Sequence, residues 1–195
     1  KRPVWSKIKD ALPWTLLLNF FSIFIAYIIA IPNGVWSARK KGTVVDAIST
    51  VVLFILNSLP SFWIATLLIA FFTTEEYGMN FFPTYGLGEL TDDMSWLDMF
   101  FERGFHLLLP VLCLSYGSLA YLSRQMRGGV LTVLRSDYIR TARAKGLDEN
   151  TVIWKHAFKN SLIPIITIFA ALFPAAISGS FIIENIFSIP GMGKI

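Results

Sequence analysis

Charge disappears from this chain in long stretches. Asp, Glu, Lys and Arg are absent from Ala11 to Ala38, from Ala47 to Thr74, from Gly104 to Ser123 and from Asn160 to Ile183. Each stretch meets or exceeds the ~20 residues that an α-helix needs to cross ~30 Å of hydrocarbon. None carries the polar face that a helix on a soluble domain requires. Helices are the economical choice in lipid because each satisfies its backbone within one segment. The pattern predicts an all-α membrane protein with four spans: 14–36, 44–72 kinked at Pro60, 104–134 and 152–177. The first run is too long for a signal peptide and has no small-residue cleavage site followed by a soluble domain.

The charges that remain are sorted by loop. Arg39, Lys40 and Lys41 sit in a short connection without an acid. Residues 75–103 hold seven acids (Glu75, Glu76, Glu89, Asp92, Asp93, Asp98, Glu102) and one base. Residues 124–159 hold eight bases and three acids. Lys and Arg are retained on the cytoplasmic side, so 36–43 and 124–159 are expected inside and the 73–103 loop outside. Alternation then puts the N-terminus outside, against Lys1, Arg2, Lys7 and Lys9. An interfacial segment at 1–13, with its apolar side toward lipid and its lysines toward headgroups, resolves that conflict. The outer loop is long enough for a short helix around Met94 to Glu102.

Composition agrees. The chain is 54% hydrophobic and 15% charged, against about 25% charged in soluble domains. The net charge of +4 is explained by where the bases lie, with the lipid bilayer and not nucleic acid as the partner. The single cysteine, Cys113, falls inside the third run, which excludes a disulfide within the chain. No metal-ligand spacing is present. "GMGKI" at the end lacks the spacing and the Ser/Thr of a phosphate-binding loop. Ser115 and Ser118 lie nine and twelve residues beyond His106, over 10 Å along a helix, so a serine protease site is not supported.

Two places carry candidate function within or beside the spans. "NSLPSFW" contains Pro60, which removes a backbone donor and clashes with the carbonyl four residues back. Asn57, Ser58 and Ser61 are candidates to satisfy the freed groups, as a packed kink or as a break facing a pathway. "SGSFIIENIFSIPGMGKI" holds one acid, Glu184, ahead of a turn at Pro190 and Gly191.

The densest basic cluster, "DYIRTARAKGLDEN", lies between the third and fourth runs. Asp137 is expected as N-cap, 138–145 as about two helical turns, and Gly146 as a left-handed stop. Asp148 or Asn150 can cap the restart. Tyr138, Ile139 and Ala142 share one side, with Arg140, Arg143 and Lys145 around the rest. That spacing fits a helix docking into a groove of another protein and equally a basic loop resting on anionic headgroups.

The stretch "YLSRQMRGGVLTVLRSDYIRTARAKGLDENTVIWKHAFKNSLIPIIT" resembles the cytoplasmic signature region of ABC-importer permeases of the dipeptide/oligopeptide/nickel family. "IPNGVWSARKKGTVVDAIS", "NSLPSFWIATLLI" and "ENIFSIPGMGKI" resemble the same family, and "SLPSFW" resembles the first (B-type) of its two paired permeases. The resemblance implies a type I ABC-importer transmembrane domain in the prokaryotic cytoplasmic membrane. It implies a permease subunit of an ATP-driven importer, forming half of the pathway for a dipeptide, oligopeptide or nickel chelate, and not itself an enzyme. The implied partners are cytoplasmic ATP-binding subunits, a second homologous permease and an extracytoplasmic solute-binding protein. No cofactor is expected on this chain, with ATP and Mg on the partner ATPase.

Within 135–150, the resemblance makes Asp137, Tyr138, Ile139, Arg140, Thr141, Ala142, Arg143, Ala144, Lys145, Gly146 and Leu147 the coupling helix, and Glu184, Pro190 and Gly191 an outer gate. The general importer signature, Glu-Ala-Ala with Gly four positions on, is only partly met: this chain reads Arg140-Thr141-Ala142 before Gly146. A role resting on the missing Glu does not transfer. B-type members have six spans, so an initial and a final span are expected beyond this chain. The rival class is an ATP-independent carrier or channel, which would place functional charges within the spans.

Overall fold

The computed structural model describes residues 3–75, 78–89, 91 and 93–195; Lys1, Arg2, Glu76, Tyr77, Leu90 and Asp92 lie outside them. In chain order the helices are α1 (Val4–Arg39), α2 (Val44–Ser58), α3 (Ser61–Phe72), α4 (Trp96–Val133), α5 (Asp137–Ala144) and a single turn, α6 (Glu149–Thr151). A π-helical stretch, Val152–Ala157, leads into α7 (Phe158–Ser178), and α8 (Phe181–Ile186) and a 3-10 turn (Met192–Lys194) close the chain. Among the described residues, three helical runs are long and apolar enough to cross a membrane: Val4–Arg39, Trp96–Val133 and Glu149–Ser178. Helices α2 and α3 meet that test only together.

The ends differ from expectation in instructive ways. No break separates residues 4–13 from the first span, because α1 runs straight through Pro13. The short helix expected near Met94 is the start of α4. There the Asp98 carboxylate accepts from the Ser95 amide at 3.2 Å, a side chain reaching back over the first turn as in a capping box. At Pro60 the chain is broken, not kinked. Pro60 is extended (φ −65°, ψ 138°) and is the N-cap of a new helix, so its missing N–H removes no hydrogen bond within that helix.

The chain forms two compact units. One comprises residues 25–58 and 118–173, and the other residues 1–24, 59–117 and 174–195. The first contains both basic connections. Its core joins Val35 and Ala38 of α1, Met126 and Val130 of α4, Ile153 of the π stretch and Ile165 of α7. Gly34 permits this packing: a Cβ there would lie 2.6 Å from that of Met126, so α1 and α4 approach at a distance only glycine allows. The second unit contains the acidic loop and the C-terminal segment. Loop and segment are tied by a hydrogen bond from the Gly86 amide to the Phe187 carbonyl, 2.9 Å. Cys113 is buried and free.

Candidate functional site

Within residues 137–147, Asp137–Ala144 fold as a short helix with both ends fixed. Ser136, and not Asp137, occupies the N-cap position (φ −71°, ψ 151°), and its side chain makes no capping bond. Asp137 is already helical. Its carboxylate meets Arg140 at 3.3 Å on the open surface and, as an acid in the first turn, complements the helix dipole. At the other end the Leu147 amide reaches the Ala142 carbonyl (3.4 Å) and the Gly146 amide reaches that of Arg143 (2.9 Å). This is a Schellman stop, with Gly146 in the left-handed region at φ +79°. Asp148 caps the next turn, accepting from the Thr151 amide at 3.0 Å and its hydroxyl at 2.6 Å. These bonds hold the Asp148 carboxyl below its ordinary value, the hydroxyl bond first.

The apolar side of α5 does not face outward. Ile139 and Ala142 are buried against Val152 and Ala157, with Val133 and Leu134 at the edge. They anchor α5 to the end of α4 and to the π stretch, and so are not free to enter a groove elsewhere. Tyr138, by contrast, is exposed, and its hydroxyl accepts from Asn160 Nδ2 at 2.7 Å. The open face is formed by Tyr138, Arg140, Thr141, Ala144 and Lys145, with Leu147 beside it. Arg143 is engaged by Glu149 through two bonds of 2.6 and 3.1 Å, which ties the helix to the following turn. That bond holds the Arg143 guanidinium above its ordinary value.

A second cluster in the same unit was not visible in the sequence. Asp46, in the first turn of α2, receives both arms of the Arg127 guanidinium, Nε to Oδ1 at 2.8 Å and a terminal nitrogen to Oδ2 at 2.7 Å. Ser37 Oγ donates to the same carboxylate at 2.6 Å and the Gly42 amide at 3.1 Å. The Asp46 side chain is 7% exposed and that of Arg127 29%. Residues 81 positions apart leave no local signal. The one hint is an acid placed alone at the edge of a chargeless run.

At the α2–α3 break the freed carbonyl of Leu59 accepts from the Tyr116 hydroxyl at 2.7 Å. That role was expected of Asn57, Ser58 or Ser61. Ser58 instead turns back on its own helix, to the Phe54 carbonyl at 2.8 Å. Asn57, Ser58 and Pro60 are exposed and Ser61 is half-buried.

Glu184 is fully buried. It accepts from Thr15 Oγ1 (2.9 Å), the Ser180 amide (3.3 Å) and the Gly193 amide (2.7 Å). Thr15 Oγ1 in turn accepts from the Met192 amide at 2.7 Å. Pro190 and Gly191 lie on the short loop that these bonds fold back onto α1, and Gly191 packs directly on the Glu184 carboxylate. His106 pairs with Glu102 at 3.2 Å. Among the described residues no three His, Cys, Asp or Glu side chains converge as a metal site would need.

The sequence model of the family described as "Binding-protein-dependent transport system inner membrane component" matches residues 30–195. This chain belongs to that family. It is 41% identical over 193 residues to the oligopeptide transport system permease protein AppB of Bacillus subtilis (strain 168), covering 99% of this chain and 59% of that protein. It is 35% identical to the inner membrane ABC transporter permease protein YejB of Escherichia coli O157:H7, covering 98% and 53%. It is 33% identical to the dipeptide transport system permease protein DppB of Lactococcus lactis subsp. cremoris (strain MG1363), covering 98% and 58%. The chain thus spans somewhat more than half the length of these relatives. A solved amino acid ABC transporter with histidines has the same fold, with a TM-score of 0.58 at 17% identity over 97% of this chain and 75% of that one. The all-α type I importer fold, the inner-membrane location and the likeness to peptide-importer permeases therefore stand.

Proposed function

We propose that this chain is part of a permease subunit of an ATP-driven importer for peptides or a related small solute, and that residues 137–147 couple it to a cytoplasmic ATPase. The observation that carries this reading is the construction of α5. It is a two-turn helix, pinned from behind by Ile139 and Ala142, stopped at Gly146 and braced to Glu149. Its open face carries Tyr138, Arg140, Thr141, Ala144 and Lys145. A flexible basic loop would serve for lipid contact. A rigid element with an apolar anchor and a polar outer face is suited to transmit force in two directions, from a partner's groove to α4 and to the start of α7. The names of the relatives support peptides as the solute. ATP and Mg belong to the partner ATPase, and a second permease and an extracytoplasmic binding protein complete the assembly.

The test is co-purification of the full-length subunit with its cognate ATPase and second permease, using Ala144→Asp and Arg140→Glu. Both sites are exposed, so the fold is left alone. The expected result is loss of the ATPase from the complex, or an ATPase no longer stimulated by loaded binding protein. Unchanged assembly and unchanged stimulation would reject docking through this face. Uptake that continues without nucleotide would identify an ATP-independent carrier instead.

A further inference from the structure

Helix α2 has its strongest polar attachment at its N-terminal end, with Leu53 buried farther along. Its only buried residues are Asp46 and Leu53. Val44, Val45, Ile48, Val51, Val52, Phe54 and Ile55 are all exposed, and Ser49 meets Asn33 only at the 3.5 Å limit of a hydrogen bond. The firm attachment is the four-bond cluster on the Asp46 carboxylate, and its largest part comes from Arg127 of α4. Arg127 lies six residues before Val133, ~9 Å along the helix. Val133 is the residue of α4 that packs on the Ile139 and Ala142 anchor. The far end of α2 leads to the break at Pro60.

We infer that Asp46 and Arg127 are positioning residues for coupled transport: their bidentate pair is the joint through which movement of α4, driven at α5, is passed to α2. The inference rests on the proposed function. A planar guanidinium on a carboxylate fixes direction as well as distance, because two parallel bonds resist rotation where one would not. A lysine at 127 would keep the charge and lose that orientation. Ser37 and Gly42 hold the same carboxylate against the end of α1 and the connecting turn, so α2 can pivot there but cannot slide. Ile55 lies nine residues, ~14 Å, beyond Asp46. A swing of ~15°, ordinary for moving rigid elements, would carry it ~4 Å.

The experiment places spin labels at Ile55 and Lys159 of the full-length subunit, both exposed and both in one unit, assembled with its ATPase and second permease. The distance is measured without nucleotide and with ATP plus vanadate. In the wild-type background the distance is expected to shift by several ångströms. With Arg127→Lys, and with the double exchange Asp46→Leu/Arg127→Leu that leaves no charge unpaired, the complex is expected to assemble and hydrolyse ATP with most of that shift lost. An equal shift in the assembled variants would overturn the joint and leave the proposed function standing. No shift in the wild-type background would overturn both.

Discussion

The hydroxyl of Tyr116 donates to the carbonyl of Leu59 at 2.7 Å, joining α4 to the residue that precedes the proline break. A backbone break inside a membrane protein leaves polar groups that lipid cannot satisfy. Here the remedy comes from a side chain 57 residues away, not from the polar residues beside the proline. Tyr116→Phe keeps the ring and removes only the donor. Polar contacts between membrane helices are worth ~1 kcal/mol, and a carbonyl left dry costs up to ~3. Thermal unfolding in detergent should therefore show a lowered midpoint for Tyr116→Phe. Ser58→Ala, which removes only a bond within α2, should leave the midpoint nearly unchanged.

Ile139 is buried without remainder in a helix whose other face is open. Truncating such a residue to alanine costs ~2–4 kcal/mol through lost contacts and the cavity left behind. The anchor of α5 is small, so the loss should appear locally. Ile139→Ala should speed tryptic cleavage after Arg140, Arg143 and Lys145, while the long helices stay protected. Cleavage as slow as in the unaltered protein would show that the Schellman stop and the Arg143–Glu149 bridge suffice to hold the helix.

Glu184 accepts three bonds and donates none. Glu184→Gln keeps the shape but turns one acceptor into an amide donor. Whichever way the amide is placed, its NH2 group meets at least one N–H or O–H that needs an acceptor. The expected outcome is faster hydrogen exchange at the Gly193 and Met192 amides, with little change along α1. The cost of stranding a buried donor is ~1–3 kcal/mol.

Asp148 gives a prediction in pH. Its carboxyl is held below the ordinary aspartate value by the Thr151 hydroxyl and amide. A carboxylate depressed in the folded state adds stability that is complete above its ordinary range and is lost as pH falls through the lowered value. The start of α6 should fray only in acid, and the Thr151 amide resonance should move with a midpoint below that of an unstructured aspartate. Asp148→Ala should abolish the titration.

The long-range order of the fold was legible because it follows from one physical demand, the removal of charge from lipid. The runs around α1, α4 and α7, an interruption at Pro60 and the left-handed stop at Gly146 all announce themselves locally. The hidden features depend on contacts distant in sequence. The Arg127–Asp46 fork and the Tyr116–Leu59 bond join residues 81 and 57 positions apart, and no periodicity encodes them. The apolar side of α5 was legible as a stripe. Its destination was not, because a helix with two buried positions looks the same whether it packs on its own chain or on another's. The N-cap falls one residue before Asp137: Ser136 takes the extended backbone geometry without a side-chain bond, and because Ser and Asp are equally good capping types, residue type does not separate the two positions.

Between the short helix and the fourth membrane run lies the π stretch, Val152–Ala157, where the Phe158 amide reaches back five residues to Ile153. A wide turn of this kind accommodates an extra residue without disturbing the helix beyond it. In an ordinary α-helix, adding or removing one residue turns everything downstream by about 100°. Here the face that α7 presents is uncoupled from the residue count of the loop before it. A one-residue deletion in this stretch can therefore be absorbed by tightening to α-helical spacing, which makes it a natural site for length variation between otherwise superimposable chains.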